Sequence, residues 1–345
     1  MIKTYAQMKR LLIIAAAILT AFNAAAQMLP DSTVQIVAYW QPGDKYSYNC
    51  ERSEKEVNAQ GDTTSRKYST EIMEFEVVGM TEEAYQLKLT YRDAEYSDEF
   101  TQTLHDFTSK INGPMSVLFS TDRHGALMSI DNLDSLVEQY AKCVGPLSEL
   151  IAQSLTSQEL EGFDIEGFSN QLLASLANPQ TIQTGILDDI GRLFFFHGAR
   201  LEPGQTYTME EPLNFFIPGI EQTTAQTNLW AEKELTDSFS TVLRTYTSAN
   251  IGDDTMKSVV STQFDAAYDN WEMTDSLRQV VESATSEAMA QLQMKVKWEQ
   301  YSSEEVHLET GWPLSLYQDK YVLVEAGDSR KEKIQSYYME IILED

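Results

Sequence analysis

The chain has 345 residues, of which 42% are hydrophobic and 23% charged, and its formal net charge is −28. Such an acidic protein repels phosphate backbones and anionic lipid surfaces, which argues against nucleic acid as a partner. The hydrophobic content is enough to bury one large core or two modest ones, and the acids are scattered in ones and twos, as on a solvated surface.

The first 26 residues have the three parts of a secretory signal peptide. "MIKTYAQMKR" carries three positive charges and no acid, the apolar run "LLIIAAAILTAF" follows, and Ala24-Ala25-Ala26 supplies a small-residue cleavage pattern. The apolar run is much shorter than the roughly 20 residues that span a bilayer. We therefore expect cleavage before Gln27 and a periplasmic or secreted mature protein with no transmembrane segment. It would not be a lipoprotein, because no cysteine follows the cut.

The two cysteines, Cys50 and Cys143, allow one intramolecular disulfide if the chain is exported to an oxidising compartment. Alternatively both remain free, because Cys50 ends an aromatic strand and Cys143 lies on the apolar side of a predicted helix, and buried free cysteines are common. The sequence leaves this choice open.

Residues 27–130 form the first predicted β unit. From residue 34 onward apolar side chains alternate with polar ones, as in "AYQLKLTYRDA", where every second side chain from 85 to 91 shares one face. In "STDRHGAL" we expect Gly125 to supply the positive φ of a tight turn between two strands. The pattern predicts antiparallel strands throughout this unit.

Residues 131–195 change to a helical period and form a predicted helical insert. We expect Asp131 to cap its first helix and Gly145-Pro146 to end it. Further helices are predicted at 147–155, 165–177 and 183–196.

Residues 196–345 form the second predicted β unit, with a C-terminal helix and a closing hairpin. Alternating strands are predicted between 201 and 267, a helix at 274–289, and a strand at 291–301. The last two strands, "SLYQDKYVLVEA" and "KIQSYYMEIILE", are expected to form the hairpin.

Two pairs of segments suggest that the two β units are copies of one another. "QPGDKYS" at 41–47 is echoed by "EPGQTYT" at 202–208, and "TEEAYQLKLTY" at 81–91 is echoed by "TDSFSTVLRTY" at 236–246. In each first segment Pro-Gly predicts a turn that leads into a strand. We therefore expect an α+β fold of two related antiparallel β units, as a curved sheet or half-barrel, with the helical insert packed on its concave side. Tyr46 and Tyr207 should occupy equivalent positions.

Several segments resemble an uncharacterised family of exported proteins of Gram-negative bacteria. They are the signal peptide, "PGDKYSY", "MSVLFSTDRHGALMSIDNLDSLVEQY", "LFFFHGARLEPGQTY" and "LETGWPLS". The resemblance implies a β-rich exported protein and brings no catalytic residues. The expected architecture is also loosely similar to the half-barrels of periplasmic lipoprotein carriers, but a shared fold does not establish function.

Motifs for catalysis are absent from the sequence. It contains no G-x-S-x-G, H-E-x-x-H, Walker loop, G-x-G-x-x-G or S-x-x-K. The four histidines, His105, His124, His197 and His307, lack the spacing of metal ligands. We therefore expect no metal, no cofactor and no catalytic activity. Scattered carboxylates leave an enzyme acting on envelope glycans as the less favoured alternative.

Four aromatic residues are candidates for a ligand site. Phe194, Phe195 and Phe196 in "RLFFFHG" could line an apolar cavity, and Trp312 in "TGWP" could stack on a sugar. For both segments, packing in the core is the favoured interpretation. The leading hypothesis is an exported, non-catalytic protein that binds a lipid, another apolar molecule or an envelope protein in the concave face. A scaffold without a small ligand is the alternative.

Overall fold

The computed structural model describes residues 32–155, 178–213, 223–236, 239–257, 293–327 and 329–343. The predicted signal peptide, the helices predicted at 165–177 and 274–289, and most of the strand predicted at 257–267 lie outside these residues.

Within the described residues the first half of the protein contains seven strands and three long helices. They are β1 (Val34–Gln35), β2 (Lys45–Val57), β3 (Thr63–Met80), β4 (Ala84–Tyr96), α1 (Glu99–Asn112), β5 (Ser116–Asp122), β6 (Leu127–Ile130), α2 (Leu133–Leu155), α3 (Pro179–Leu193) and β7 (Arg200–Leu201). The second half adds β8 (Tyr207–Leu213), β9 (Thr223–Ala231), β10 (Ser240–Ile251), β11 (Met294–His307), β12 (Pro313–Ala326) and β13 (Ser329–Ile342).

Eleven of the strands form one antiparallel sheet, in the order β6-β5-β4-β3-β2-β13-β12-β11-β10-β9-β8. At its centre β2 pairs with β13, from Ser47 opposite Ile342 to Val57 opposite Glu332. The two predicted β units are therefore joined in a single sheet, and the expectation of a β-dominated, antiparallel fold is confirmed. β1 and β7 form a separate two-stranded sheet.

Helix α1 lies inside the first β unit, where we expected only strands, and that expectation was wrong. Asp98 caps it, since its side chain accepts a hydrogen bond from the Thr101 backbone N–H at 2.8 Å. Gly113 follows the last turn with φ of 71°, a conformation that favours glycine. These two capping residues were the local signals for the helix.

Helix α2 continues through Gly145-Pro146, so the predicted end of this helix was also wrong. Leu136, Cys143 and Leu147 are all buried along one side of α2, before and after the proline. This packing stabilises the helix across a residue that cannot donate its backbone hydrogen bond.

The tight turn predicted between β5 and β6 is present. Gly125 has φ of 96°, and its N–H donates to the Asp122 carbonyl at 3.0 Å. Asp131, predicted as the cap of the next helix, instead accepts hydrogen bonds from Ser120 Oγ at 2.6 Å and Ser129 Oγ at 2.7 Å.

Helix α3 packs on one face of the sheet, which we call the inner face. It buries Ile182, Ile186, Ile190 and Leu193 in the main core. The core side chains of the sheet lie on the inner face of β2 to β5, β12 and β13. They are Tyr48, Cys50, Met73, Phe75, Val77, Tyr85, Leu87, Leu89, Val117, Phe119, Leu316, Tyr337 and Met339.

The two Pro-Gly segments form turns of the same geometry. The Gln41 carbonyl accepts from Asp44 N–H at 3.0 Å, and the Glu202 carbonyl accepts from Gln205 N–H at 3.0 Å. Gly43 and Gly204 have φ of 98° and 80°, as the third residue of a type II turn requires. Each glycine N–H also donates a hydrogen bond of 2.8 Å to a backbone carbonyl of a neighbouring strand. Gly43 donates to Val77 on β3, and Gly204 donates to Ala231 on β9.

The segments 81–91 and 236–246 match in sequence, but their structurally equivalent positions differ from the sequence match by one residue. The hairpin turns are closed by hydrogen bonds from Thr81 N–H to the Ala84 carbonyl and from Thr236 N–H to the Ser240 carbonyl. The second turn is therefore one residue longer. As a result, Leu87 on β4 and Leu243 on β10 hold equivalent buried positions opposite Val77 and Ala231.

Both cysteines are free and buried. Cys50 lies in the main core near the Tyr337 hydroxyl, whereas Cys143 packs with Leu147 between α1 and α2. The side-chain amide of Asn112 donates to Cys143 Sγ at 3.1 Å.

Candidate functional site

Three clefts follow helix α3 along the inner face. The large cleft has a volume of about 750 Å³ and lies between β3, β4 and all three helices. The middle cleft of about 510 Å³ lies over β2, β3, β12 and β13, and the small cavity of about 220 Å³ lies over β9 to β12. Arg52 and Asp189 line both the large and the middle cleft. Arg192 and Gln318 line both the middle cleft and the small cavity. The clefts therefore form one continuous series.

A partly buried ion-pair network forms the floor of the large cleft. Arg52 Nη2 lies 2.8 Å from Glu71 Oε1 and 2.9 Å from Asp189 Oδ1. The Tyr91 hydroxyl donates to Asp189 Oδ2 at 3.2 Å. One guanidinium thus joins carboxyl groups from β3 and α3, and it links the helix to the sheet.

Burial alters the protonation of this network. Burial raises the pKa of Glu71, and the nearby Arg52 only partly opposes this effect. Burial also raises the pKa of Tyr91 well above its ordinary value, as does the charge of Asp189. Tyr91 therefore keeps its proton, which it donates to Asp189.

The walls of the large cleft are mostly apolar. Tyr96 from β4, Met115 before β5, Tyr140 from α2, and Ile182 and Ile186 from α3 line them. The Tyr140 hydroxyl lies 3.1 Å from Met115 Sδ. An apolar wall over a polar floor, at this volume, is typical of small-molecule sites.

Two rows of polar side chains cross the inner face beside the core. Because directly paired residues of antiparallel strands lie side by side, the pairing register defines each row. The first row is Thr245, Ser302, Gln318, Tyr337 and Arg52. The second is Thr247, Gln300, Lys320, Gln335 and Glu54. These rows place hydrogen-bonding groups along the middle cleft and the small cavity.

The small cavity contains a buried carboxyl group. Glu304 on β11 is 1% exposed, and its Oε1 has no hydrogen-bond partner within the described part of the chain. Its cross-strand neighbours are Leu243 and Leu316, which are both apolar. Burial raises the pKa of Glu304 well above its ordinary value, which favours the neutral form of the carboxyl.

The four aromatic candidates are divided between the core and the small cavity. Phe194 and Trp312 are buried in the main core with Trp40, and neither lines any of the three clefts. Phe196 is buried in a second cluster with Ile36 and also lines the small cavity. Phe195 is 46% exposed and lines the same cavity, with its ring edge-on to Phe196 at 5.0 Å.

Sequence reasoning missed the polar residues of the site, above all Arg52, Asp189 and Glu304. A signal for Glu304 was present in β11. The apolar residues Trp298 and Val306 lie on the same face of this strand as the polar residues Gln300, Ser302 and Glu304 between them. Polar residues at every second position between apolar ones indicate a strand whose buried face carries a polar patch. For Arg52 and Asp189 the sequence carries no comparable local signal.

Among the described residues, no group of three His, Cys, Asp or Glu side chains is arranged to hold a metal ion. Within the same ranges, no helix combines the length and the apolar character that crossing a membrane requires.

No family model and no curated protein matches the sequence. A structure of lipovitellin described by its lipid-protein interactions aligns with 88% of this chain at 10% identity and a TM-score of 0.35, and the chain spans 25% of its length. OmpF of Salmonella typhi in complex with daunomycin aligns with 86% of this chain and 98% of its own, at 7% identity and a TM-score of 0.20. A porin of Rh. blastica gives 6% identity and a TM-score of 0.19. Similarities this weak carry no argument about function.

Proposed function

We propose that this protein is an exported, non-catalytic binding protein that holds an apolar or amphipathic small molecule in the large cleft. The observation that carries the proposal is the combination of a volume of about 750 Å³ with apolar walls and a polar floor. A lipid or another molecule with one polar end has the matching chemistry.

Close packing elsewhere supports this interpretation of the cleft. Protein interiors pack at nearly crystalline density, so a large apolar opening is unusual unless something fills it. Beside the cleft the core is filled by large side chains such as Trp40, Phe75 and Phe119, which are fully buried. The opening is therefore a local feature and does not reflect loose packing of the whole core.

The ion-pair floor suggests how the polar end of the ligand binds. Two carboxyl groups, Glu71 and Asp189, share the single guanidinium of Arg52. Part of their capacity to accept hydrogen bonds is left for another donor. We infer that the polar end of the ligand carries a donor, such as a hydroxyl or an amine.

We further infer that residues 27–130 and 196–345 are related β units separated by the insert at 131–195. The equal geometry of the turns at Gly43 and Gly204 supports this relation, as does the shared order of the strands that follow them. Export after cleavage before Gln27 belongs to the same proposal, and it rests on the sequence of the first 26 residues.

Fluorescence titration with 1-N-phenylnaphthylamine, an apolar probe that brightens when it leaves water, tests the binding function. Gly185 on α3 lines the large cleft, and a side chain added there meets no atom within 4 Å of its Cβ. Gly185→Phe should therefore fill the cleft without strain and weaken probe binding at least about tenfold. Gly191→Phe is the matched control, because Gly191 is an unobstructed glycine of the same helix that lines neither the large cleft nor the middle cleft.

Both substitutions should leave the fold intact, since phenylalanine has a helix propensity a few tenths of a kcal/mol better than that of glycine. Equal binding by the two variants would refute a ligand site in the large cleft. Absence of binding by the wild-type protein, together with no co-purifying apolar molecule in native mass spectrometry, would favour the scaffold.

A further inference from the structure

The small cavity has features that the proposed function does not use. It is separated from the large cleft by the middle cleft, and its lining comes from β9 to β12, the last turn of α3 and the Phe195 segment. Glu304 lines it, and Oε1 of this buried carboxyl group has no hydrogen-bond partner among the described residues. A buried carboxyl oxygen without a hydrogen bond destabilises the folded protein. Such a residue is a candidate for function.

From this geometry we infer that the small cavity is a second binding site, for a compact, uncharged and hydroxyl-rich molecule the size of a single sugar ring.

The volume of the cavity limits the size of the ligand. About 220 Å³ corresponds to roughly seven water molecules at about 30 Å³ each. One sugar ring fits this space.

The lining can both donate and accept hydrogen bonds on several sides. The Thr245 and Ser302 hydroxyls lie 2.5 Å apart, and the Thr227 and Thr247 hydroxyls lie 2.9 Å apart. The Thr245 and Ser302 hydroxyls each have two acceptor lone pairs, so this pair keeps capacity for a ligand. The Gln318 side-chain amide adds both a donor and an acceptor. A ligand with hydroxyl groups around a ring matches this lining.

The charges around the cavity favour an uncharged ligand. Arg192 at its edge is already paired with Asp188, one turn earlier on α3. Glu304 is the remaining charged residue type in the lining, and it lies between two leucines that disfavour its ionised form. In its neutral form, which this apolar surrounding favours, the carboxyl can donate one hydrogen bond and accept others.

Phe195 supplies an apolar surface at the same site. Its ring is 46% exposed, although phenylalanine is usually buried. The C–H face of a sugar ring can pack against such a ring while its hydroxyls bond to the polar lining.

The inference is tested by titrating the full protein with glucose, galactose, mannose and N-acetylglucosamine, and with methylammonium and acetate as charged probes. Saturation-transfer NMR reports binding at concentrations up to about 50 mM. We expect at least one neutral sugar to bind, and neither charged probe. No sugar binding at this concentration, or binding of methylammonium alone, would overturn the inference.

Variants locate the binding. Gly191 lines the small cavity and has no atom within 4 Å of an added Cβ, so Gly191→Phe should weaken sugar binding at least about tenfold. Gly185→Phe, on the same helix but outside the small cavity, should leave it within about twofold. Unchanged sugar binding by Gly191→Phe would place the sugar elsewhere and refute the site. Naphthylamine binding by Gly191→Phe should persist, which separates this inference from the proposed function of the large cleft.

Side-chain substitutions test the named contacts. Phe195→Ala should weaken sugar binding about fivefold, whereas Phe100→Ala, at an equally exposed phenylalanine outside the clefts, should not change it. Glu304→Leu should reduce binding at least about tenfold, whereas Glu304→Gln, which still donates and accepts, should stay within about threefold of wild type. Equal binding by the leucine and glutamine variants would show that Glu304 does not contact the sugar.

Discussion

Trp40, near the start of the described chain, stacks on Trp312, near its end, with ring centroids 4.6 Å apart. Phe194, directly after α3, meets Trp40 edge-on at 5.6 Å. This aromatic contact joins the N-terminal segment, the C-terminal end of α3 and the turn between β11 and β12. It holds α3, and with it the cleft floor, against the sheet.

Trp312→Ala should therefore lower the free energy of unfolding by about 3–5 kcal/mol, because it removes a large, fully buried side chain. Urea denaturation followed by circular dichroism measures this loss. Phe100→Ala, at an exposed position, is the control and should cost less than about 1 kcal/mol. Equal costs for the two variants would contradict the packing role of Trp312.

The Gly311 backbone should tolerate no side chain. An added Cβ would lie 2.2 Å from the Val37 carbonyl oxygen, and Gly311 has φ of 74°. Gly61 has φ of 86° but no atom within 4 Å of an added Cβ, so Gly61→Ala isolates the cost of the backbone conformation. We expect Gly61→Ala to cost about 1–2 kcal/mol and Gly311→Ala clearly more, in thermal and urea unfolding. Similar losses would mean that the contact with Val37 relaxes easily.

Glu304→Gln should stabilise the protein at neutral pH. Burial raises the pKa of Glu304 in the folded state, so the folded protein keeps a proton that the unfolded chain releases above about pH 4.5. The contribution of Glu304 to the free energy of unfolding is therefore complete below that pH and is lost as the pH rises through the folded-state pKa. Glutamine has no such loss, so the variant should be more stable than the wild type at pH 7, by a margin that shrinks toward pH 4.

Unfolding free energies of wild type and Glu304→Gln at the two pH values measure this gain. Glu51→Gln, at an exposed position of β2, is the control and should differ little from wild type at pH 7. A destabilised Glu304→Gln at pH 7 would indicate that the carboxylate is ionised and paired in the folded protein.

His197 should make stability fall under mildly acidic conditions. Burial lowers the pKa of His197 from 6.5 to about 4, although its hydrogen bond to the Gly311 carbonyl and the charge of Asp122 act in the opposite direction. Between these values the unfolded chain binds a proton that the folded protein does not, so stability is lost as the pH falls from about 6.5 to about 4. The full effect is about 3 kcal/mol.

His197→Gln keeps a donor for the Gly311 carbonyl and removes the titration. The stability of this variant should therefore fall less than that of the wild type as the pH drops through this range. A pH titration by NMR measures the His197 midpoint directly. A midpoint near 6.5 would refute the effect of burial.

Local sequence patterns predicted the strands and turns whose conformation depends on residues that are close in the sequence. Alternating side chains predicted β4, β10 and β12, and the glycine of each Pro-Gly pair has the positive φ that the turn requires. Helix α1 escaped this reasoning because none of its residues is fully buried. The residues that cap its two ends, Asp98 and Gly113, are visible in the sequence, but a capping residue alone does not distinguish a helix from a loop.

The arrangement of the sites was decided by tertiary structure. The pairing of β2 with β13 places Arg52 opposite Tyr337, and the packing of α3 brings Asp189 to the same guanidinium. The sequence of β11 by itself shows only that Glu304 lies on the same face as Val306. The cavity around Glu304 is formed by the neighbouring strands and by Phe195. A strand's alternation specifies which side chains share a face. Which strand becomes its neighbour, and in what register, depends on burial and hydrogen bonding summed over the whole sheet.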